Sequence, residues 1–307
     1  MKFIFFGTPE FTAIILEKII NAGFIPEAVV CNPDKPVGRK KIITSPATKL
    51  VAQKYDIPVL QPEILANYKL QITNYKPDFF IVAAYNKILP KEILEIPRFG
   101  IIGVHPSLLP KYRGATPIQS VILNGDEMTG TTLYLMDEKM DHGPILASRE
   151  LEFPISNFQF PILQQKLAEL SADLLIEFLR KMNQYLGSST SQKLRNIKEV
   201  ELPEIKLLPQ DESRATYTKK FATEDAFIEP KDLEMAQQNG GEIALQIERK
   251  IRALNPEPGV WTIINPPHKF MWGVNEKRVK LLESQIIDGK LKLIKIQIEG
   301  KKPTTLS

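Results

Sequence analysis

One cysteine, three histidines and two tryptophans in 307 residues rule out several kinds of chemistry at the start. A single thiol, Cys31, excludes a disulfide framework and a cysteine-based zinc site, and it suits a reducing, cytoplasmic setting. Three histidines without cysteine partners give no reason to expect a metal, although an Asp/His site stays open. No apolar run approaches the roughly 20 residues of a membrane span, so no membrane partner is expected. The opening MKFIFFG has one lysine and too few apolar residues for a signal peptide, and GTPE follows at once. Phosphate-binding glycine patterns are missing too. FFGTPEF has the strand–turn–helix setting of a nucleotide loop but lacks the later glycines of GxGxxG, and GxxxxGK[ST] does not occur. A tight turn into a capped helix is enough to account for it. Charge imbalance is small, at 40 basic against 36 acidic residues for a net +4. Its distribution says more, because nine Lys/Arg face four Asp/Glu between His268 and Ser307.

A chain of 307 residues exceeds what one core usually supports, so two domains are expected. The first half alternates strands and helices. Lys2–Gly7, Asp78–Ala84 and Ile101–Val104 are continuous apolar strands, and Pro26–Cys31 and TTLYLM are two further strands. Between them run helices that open at Thr8-Pro9, Ser45-Pro46 and Thr116-Pro117, with Gly23 just past the end of the first. This pattern predicts an α/β domain, a mostly parallel sheet covered on both faces. A long amphipathic helix spans Pro161–Met182. GSSTSQKLRN and the prolines at 203 and 209 then read as linker. Beyond it, one helix over Glu242–Leu254 precedes VWTII, KFMWGV, RVKLLESQII and KLKLIKIQI, which suggest a small antiparallel barrel.

Functional loops in parallel sheets lie beyond the carboxyl ends of strands. His105 ends such a strand and opens a loop pinned by Pro106 and Pro110. A buried histidine is often structural. A second carboxylate favours function, because Asp141 of MDEKMDHGPIL lies in a turn before Gly143 and could fix or charge the imidazole. His142 reads as a turn residue. NPDKPVGRKK is a basic loop with Lys35, Arg39, Lys40 and Lys41, either solvated or facing a polyanion together with the basic tail.

FFGTPEF, NPDKPVGRKK with its following Ser-Pro, LQPE, AAYNKILP, HPSLLPKYRGATPIQ, MDEKMDHGPIL, ATYTKKF and IRALNPEPGVW occur in the order found in methionyl-tRNA formyltransferases. The chain resembles that family from Lys2 to about Trp261, and the barrel beyond fits in kind. HPSLLPKYRG alone would suit any formyltransferase that uses 10-formyltetrahydrofolate. The resemblance implies a Rossmann-like formyltransferase domain over residues 1–186, a linker over 187–208 and an OB-like tRNA-binding domain over 209–307. It implies 10-formyltetrahydrofolate and methionyl initiator tRNA as substrates, and a monomer is expected. The folate loop maps onto Ser107, Leu108, Leu109 and Pro110. The tRNA loop maps onto Asn32–Ser45, with Arg39, Lys40 and Lys41 as contacts.

The family's catalytic set is an Asn, a His and an Asp; the last two map onto His105 and Asp141, and the first onto Gly103. The chemistry explains the types: amine attack on a formyl carbon creates an oxyanion, which amide and imidazolium donors stabilise while His and Asp move protons. Gly103 is therefore a departure. Where the family carries AYG at the end of the preceding strand, this chain reads AYN. Asn86 is accordingly expected to place its amide in the volume that Gly103 vacates. The alternative is that Asn86 only holds a left-handed turn. Two other functions stay open: formylation of another amine such as an amino sugar, or a weakened homologue that binds folate and tRNA.

Overall fold

A computed structural model describes residues 1–38, 40–151, 158–186, 207–264 and 277–306. Among these residues the α-helices are α1 (Glu10–Asn21), α2 (Ala47–Lys54), α3 (Lys69–Asn74), α4 (Lys91–Leu94), α5 (Pro117–Asn124), α6 (Phe160–Leu186), α7 (Pro230–Gln238) and α8 (Glu242–Leu254). None is long and apolar enough to cross a membrane. The chain forms two compact units. One comprises Met1–Ala115, Met128–Glu152 and Gln164–Thr218, the other Thr116–Glu127, Phe153–Leu163 and Lys219–Ser307.

The first unit is built on a seven-stranded sheet. Its strands are β1 (Phe3–Phe6), β2 (Ala28–Val30), β3 (Val59–Leu60), β4 (Phe79–Ala83), β5 (Ile101–His105), β6 (Gly130–Leu135) and β7 (Ile145–Glu150). Their order is β7-β6-β5-β4-β1-β2-β3. Neighbours from β5 to β3 are parallel, whereas β6 runs antiparallel to β5 and β7 to β6. β1 (FIFF) and β4 (FFIVA) are buried at every position, which is why they read as unbroken apolar runs. The chain steps from β1 to β3 in one direction, then returns to lay β4 on the other side of β1. The strand order thus reverses between β1 and β4, and β5 with its terminal His105 lies next to that reversal.

Two expected helix caps take other roles. Pro9 and Pro46 precede α1 and α2 without a side-chain cap. Thr8 Oγ1 instead accepts from the Asn32 backbone N–H at 3.2 Å, and the Ser45 hydroxyl donates to Asp34 at 3.1 Å. Both residues tie loops together at the carboxyl edge of the sheet. The long helix α6 is joined to β6 through Ser171, whose hydroxyl is 2.7 Å from that of Thr131.

In the second unit α5 packs against α8, and each helix buries an apolar face, with Ile118, Val121 and Ile122 on α5 and Ala244, Ile247 and Ile251 on α8. An antiparallel sheet of four strands completes it: β8 (Trp261–Ile264), β9 (Lys277–Ile287), β10 (Lys290–Ile298) and β11 (Thr304–Thr305). This is the small β domain, in which the described strands order as β8-β9-β10-β11. KFMWGV and all but the last two residues of the 187–208 linker lie outside the described residues. Leu208 pairs with Ile145 at the start of β7, so the chain returns to the large sheet there.

Candidate active site

In β5, Gly103 and His105 alternate onto one face of the sheet, opposite Tyr134 and Thr132 of β6. His105 is 6% exposed. Its Nε2 lies 2.8 Å from the Tyr112 carbonyl oxygen. A carbonyl only accepts, so Nε2 carries the proton and the neutral ring keeps its lone pair on Nδ1. Nδ1 faces Asp141 Oδ2 at 3.6 Å, within ion-pair range and longer than a hydrogen bond. That nitrogen is left available to a third group.

Asp141 sits in a left-handed conformation with φ +47°, which aspartate tolerates better than most residues. The turn doubles back on the end of β6 so closely that a Cβ at Gly143 would meet the Leu135 carbonyl oxygen at 1.7 Å; only glycine fits there. The carboxylate accepts from the Gly114 backbone N–H on Oδ2 at 2.7 Å and from the Tyr134 hydroxyl on Oδ1 at 2.6 Å. Burial, and then the Asp141 charge, push the Tyr134 phenol well above its usual pKa, so it remains a donor.

The loop Ser107–Pro110 owes its order to more than its prolines. Thr132 donates its hydroxyl to the Ser107 carbonyl at 2.7 Å and accepts from the Leu109 N–H at 3.1 Å. Ser107 donates to the Lys111 carbonyl at 2.6 Å. From the far side Thr216 accepts from the Tyr112 N–H at 2.8 Å and donates its own N–H to the Pro110 carbonyl at 3.3 Å. Thr132→Val keeps the shape and removes both of its tethers, leaving buried groups unpaired at about 1–3 kcal/mol. Hydrogen exchange at the Leu109 amide, which loses its acceptor, should speed up at least several-fold; unchanged exchange would show that the tethers do not shape the loop.

The second brace gives no signal in the sequence. Arg113 is fully buried and donates to both carboxylate oxygens of Glu212 at 3.0 and 2.7 Å, to the Gln210 side-chain oxygen at 3.1 and 2.8 Å, and to the Tyr217 hydroxyl at 3.1 Å. The bonds with Glu212 raise the Arg113 pKa further and lower that of Glu212. Gln210 completes the link, donating from Nε2 to the carbonyls of Asp141 at 2.9 Å and Gly143 at 2.7 Å. His142, read from the sequence as a turn residue, has its Nδ1 2.6 Å from Asp137 and its Nε2 3.5 Å from Glu212.

Gly103 brings the correction. A Cβ there would lie 2.3 Å from Tyr134 Cε1, 2.4 Å from Cζ and 2.8 Å from the hydroxyl oxygen. The volume expected to receive the Asn86 amide is already filled by a tyrosine ring. Asn86 is exposed with φ +61°, in the left-handed turn of the alternative reading. The register of β5 against β6, invisible in either strand alone, decides this.

The basic loop forms an exposed hairpin of Lys35–Val37 against Ile42–Thr44, with Lys40 and Lys41 exposed at its tip. Arg39 lies outside the described residues. Asp34 anchors the hairpin base, accepting from Gln61 at 2.8 Å, Lys49 at 2.9 Å and Ser45 at 3.1 Å, and these bonds, that from Gln61 foremost, hold its carboxyl below the usual range. No group of three or more metal-ligating side chains occurs among the described residues.

Residues 1–179 match the Formyl transferase family, and residues 242–292 match Formyl transferase, C-terminal domain. The chain is 37% identical to the methionyl-tRNA formyltransferase of Thermotoga maritima, covering 99% of this chain and 93% of that protein. It is also 37% identical to that of Kosmotoga olearia, covering 100% and 94%. Among solved structures, methionyl-tRNA formyltransferase from Clostridium thermocellum aligns with a TM-score of 0.58 at 16% identity, over 97% of this chain and 98% of that one. The sugar 3N-formyl transferase WlaRD aligns with a TM-score of 0.56 at 18% identity, over 98% and 99%. The two structural likenesses show a shared fold and do not separate an aminoacyl acceptor from a sugar. By sequence identity over nearly its full length, the chain belongs to the methionyl-tRNA formyltransferases.

Proposed function

We propose that this chain transfers the formyl group of 10-formyltetrahydrofolate to the amino group of methionyl initiator tRNA, as a cytoplasmic monomer. The observation that carries this reading is the identity to methionyl-tRNA formyltransferases across both units rather than the first alone. In this reading residues 1–186 catalyse, 187–208 link and 209–307 bind tRNA, except that Gln210, Glu212, Thr216 and Tyr217 belong to the first unit and brace its site. The donor substrate supplies an electrophilic formyl carbon on a nitrogen that leaves protonated. Ser107, Leu108, Leu109 and Pro110 hold it; a loop of two leucines and a proline, with its main chain tethered, suits a flat heteroaromatic ring.

His105 acts through Nδ1, because Nε2 is committed to the Tyr112 carbonyl. It takes the proton that the attacking amine loses and, once charged, is stabilised by Asp141 across the 3.6 Å gap. The proton then passes to the departing folate nitrogen. A positioned imidazolium also offers an N–H to the developing oxyanion.

Formylation of charged initiator tRNA with 10-formyltetrahydrofolate, beside an amino sugar and free methionine as acceptors, tests the reading. Preference for the sugar, or no transfer to tRNA, would overturn it. Lys40 and Lys41, exposed on the hairpin, are read as phosphate-binding groups together with Arg39. Replacing all three by alanine should raise the KM for tRNA and leave folate binding unchanged. The salt dependence of tRNA binding should flatten by about 0.7–0.9 log units per decade of salt for each phosphate no longer neutralised. An unchanged KM and salt slope would return the loop to a solvated role.

A further inference from the structure

The face shared by β5 and β6 presents a tyrosine where the opposite strand presents nothing. Tyr134 stands directly across from Gly103, and cross-strand partners have Cβ atoms only about 4.5–5.5 Å apart. A side chain at 103 would stand beside the ring and compete for its place. Without one, the ring lies over the backbone of β5, 3% exposed, and its hydroxyl reaches Asp141 Oδ1 at 2.6 Å. The carboxylate is then held from two directions, by a phenol on one oxygen and by the Gly114 N–H on the other. Two donors on different oxygens restrict rotation of the carboxylate plane as a single donor does not. The oxygen that Gly114 holds is also the one facing His105.

We infer that Tyr134 and Gly103 are a matched pair: the Tyr134 hydroxyl aims the Asp141 carboxylate at His105, and the missing side chain at Gly103 makes room for the ring. Tyr134 is a positioning residue, acting through Asp141. The phenol has one proton and gives it to a carboxylate, a charge-assisted bond of the stronger kind. The inference rests on the role given to Asp141 in the proposed function.

Tyr134→Phe is the deciding variant, because it keeps the ring and its packing and removes only the hydroxyl. It should lower kcat by about 10- to 100-fold, the range for losing a hydrogen bond to a charged group, with the KM for both substrates unchanged. A purely structural tyrosine would tolerate phenylalanine, so a kcat within twofold of the parent overturns the inference. Gly103→Ala should show a similar fall by displacing the ring. In the Tyr134→Phe background the same alanine should lower kcat little further, since the hydroxyl is already gone; additive losses overturn the pairing. A proton spectrum gives a readout free of substrate: one exchange-protected, downfield hydroxyl signal, present in the parent and lost in both Tyr134→Phe and Asp141→Asn. Absence of that signal in the parent sinks the pair even if tRNA is formylated. Its presence in a protein that formylates no tRNA sinks the proposed function and leaves the pair standing.

Discussion

His105→Gln is expected to lower turnover about 10²–10⁴-fold, the contribution of a positioned acid–base group. Glutamine is the informative replacement. His105 is buried, and its Nε2–H bonds the Tyr112 carbonyl, so alanine would remove that bond together with the ring. A glutamine amide can still donate there but has no lone pair comparable to Nδ1. Folding, followed by circular dichroism and melting, should therefore survive while single-turnover formylation collapses. Asp141→Asn should fall in the same range for a different reason. The carboxylate accepts from both Tyr134 and Gly114, and an amide would set a donor against one of them. Near-parental turnover in His105→Gln would sink the mechanism.

Arg113→Ala should destabilise the protein by about 2–5 kcal/mol, combining a cavity in the core with an orphaned Gln210 oxygen. The asymmetry of the pair sharpens the test. Arg113 has a side chain with 0% exposure and Glu212 one with 57%, so Glu212→Ala should cost clearly less. Water can reach the glutamate site and can reach into it when the carboxylate is gone. Turnover should fall in Arg113→Ala as well, because Gln210 ties Arg113 to the carbonyls of Asp141 and Gly143. The pH dependence has a definite sign. Glu212 has a lowered pKa, first because of its hydrogen bond to Arg113. Its contribution is present above the ordinary glutamate value of about 4.3 and is lost as pH falls through the lower folded value. Arg113→Ala should remove that acid sensitivity in denaturation curves followed between about pH 5 and pH 3, the window around that value. Equal costs for the two alanine variants would contradict the brace.

Much of the fold is legible in the sequence because its signals are local. β1, β4 and β5 announce themselves as apolar runs, since a strand covered on both faces has no polar side to show. α8 occupies the residues its periodicity predicts, and α5 begins after Thr116 as its Pro117 requires. α7 gives little signal: it is short, and its run of Glu, Asp, Lys and Gln carries few apolar positions. Thr8 and Ser45 have the chemistry of helix caps. Neighbouring loops offer them other partners, which only the assembled sheet brings near.

The amino-acid sequence by itself determined the class of fold, the loop that follows His105, the partnership with Asp141 and the departure at Gly103. The first two rest on residue types and spacings within single segments, the last two on the resemblance of several motifs to a known family. The tertiary structure decided what fills the space at Gly103 and what steadies Asp141. Those answers depend on strand register and on pairings between distant segments: Tyr134 opposite Gly103, Gln210 under the Asp141 turn, Arg113 locked to Glu212. A side chain's neighbours across a sheet are set by a register in which a slip of one residue changes every partner. Asn86 met the chemical requirement for a donor, and Tyr134 met the steric one.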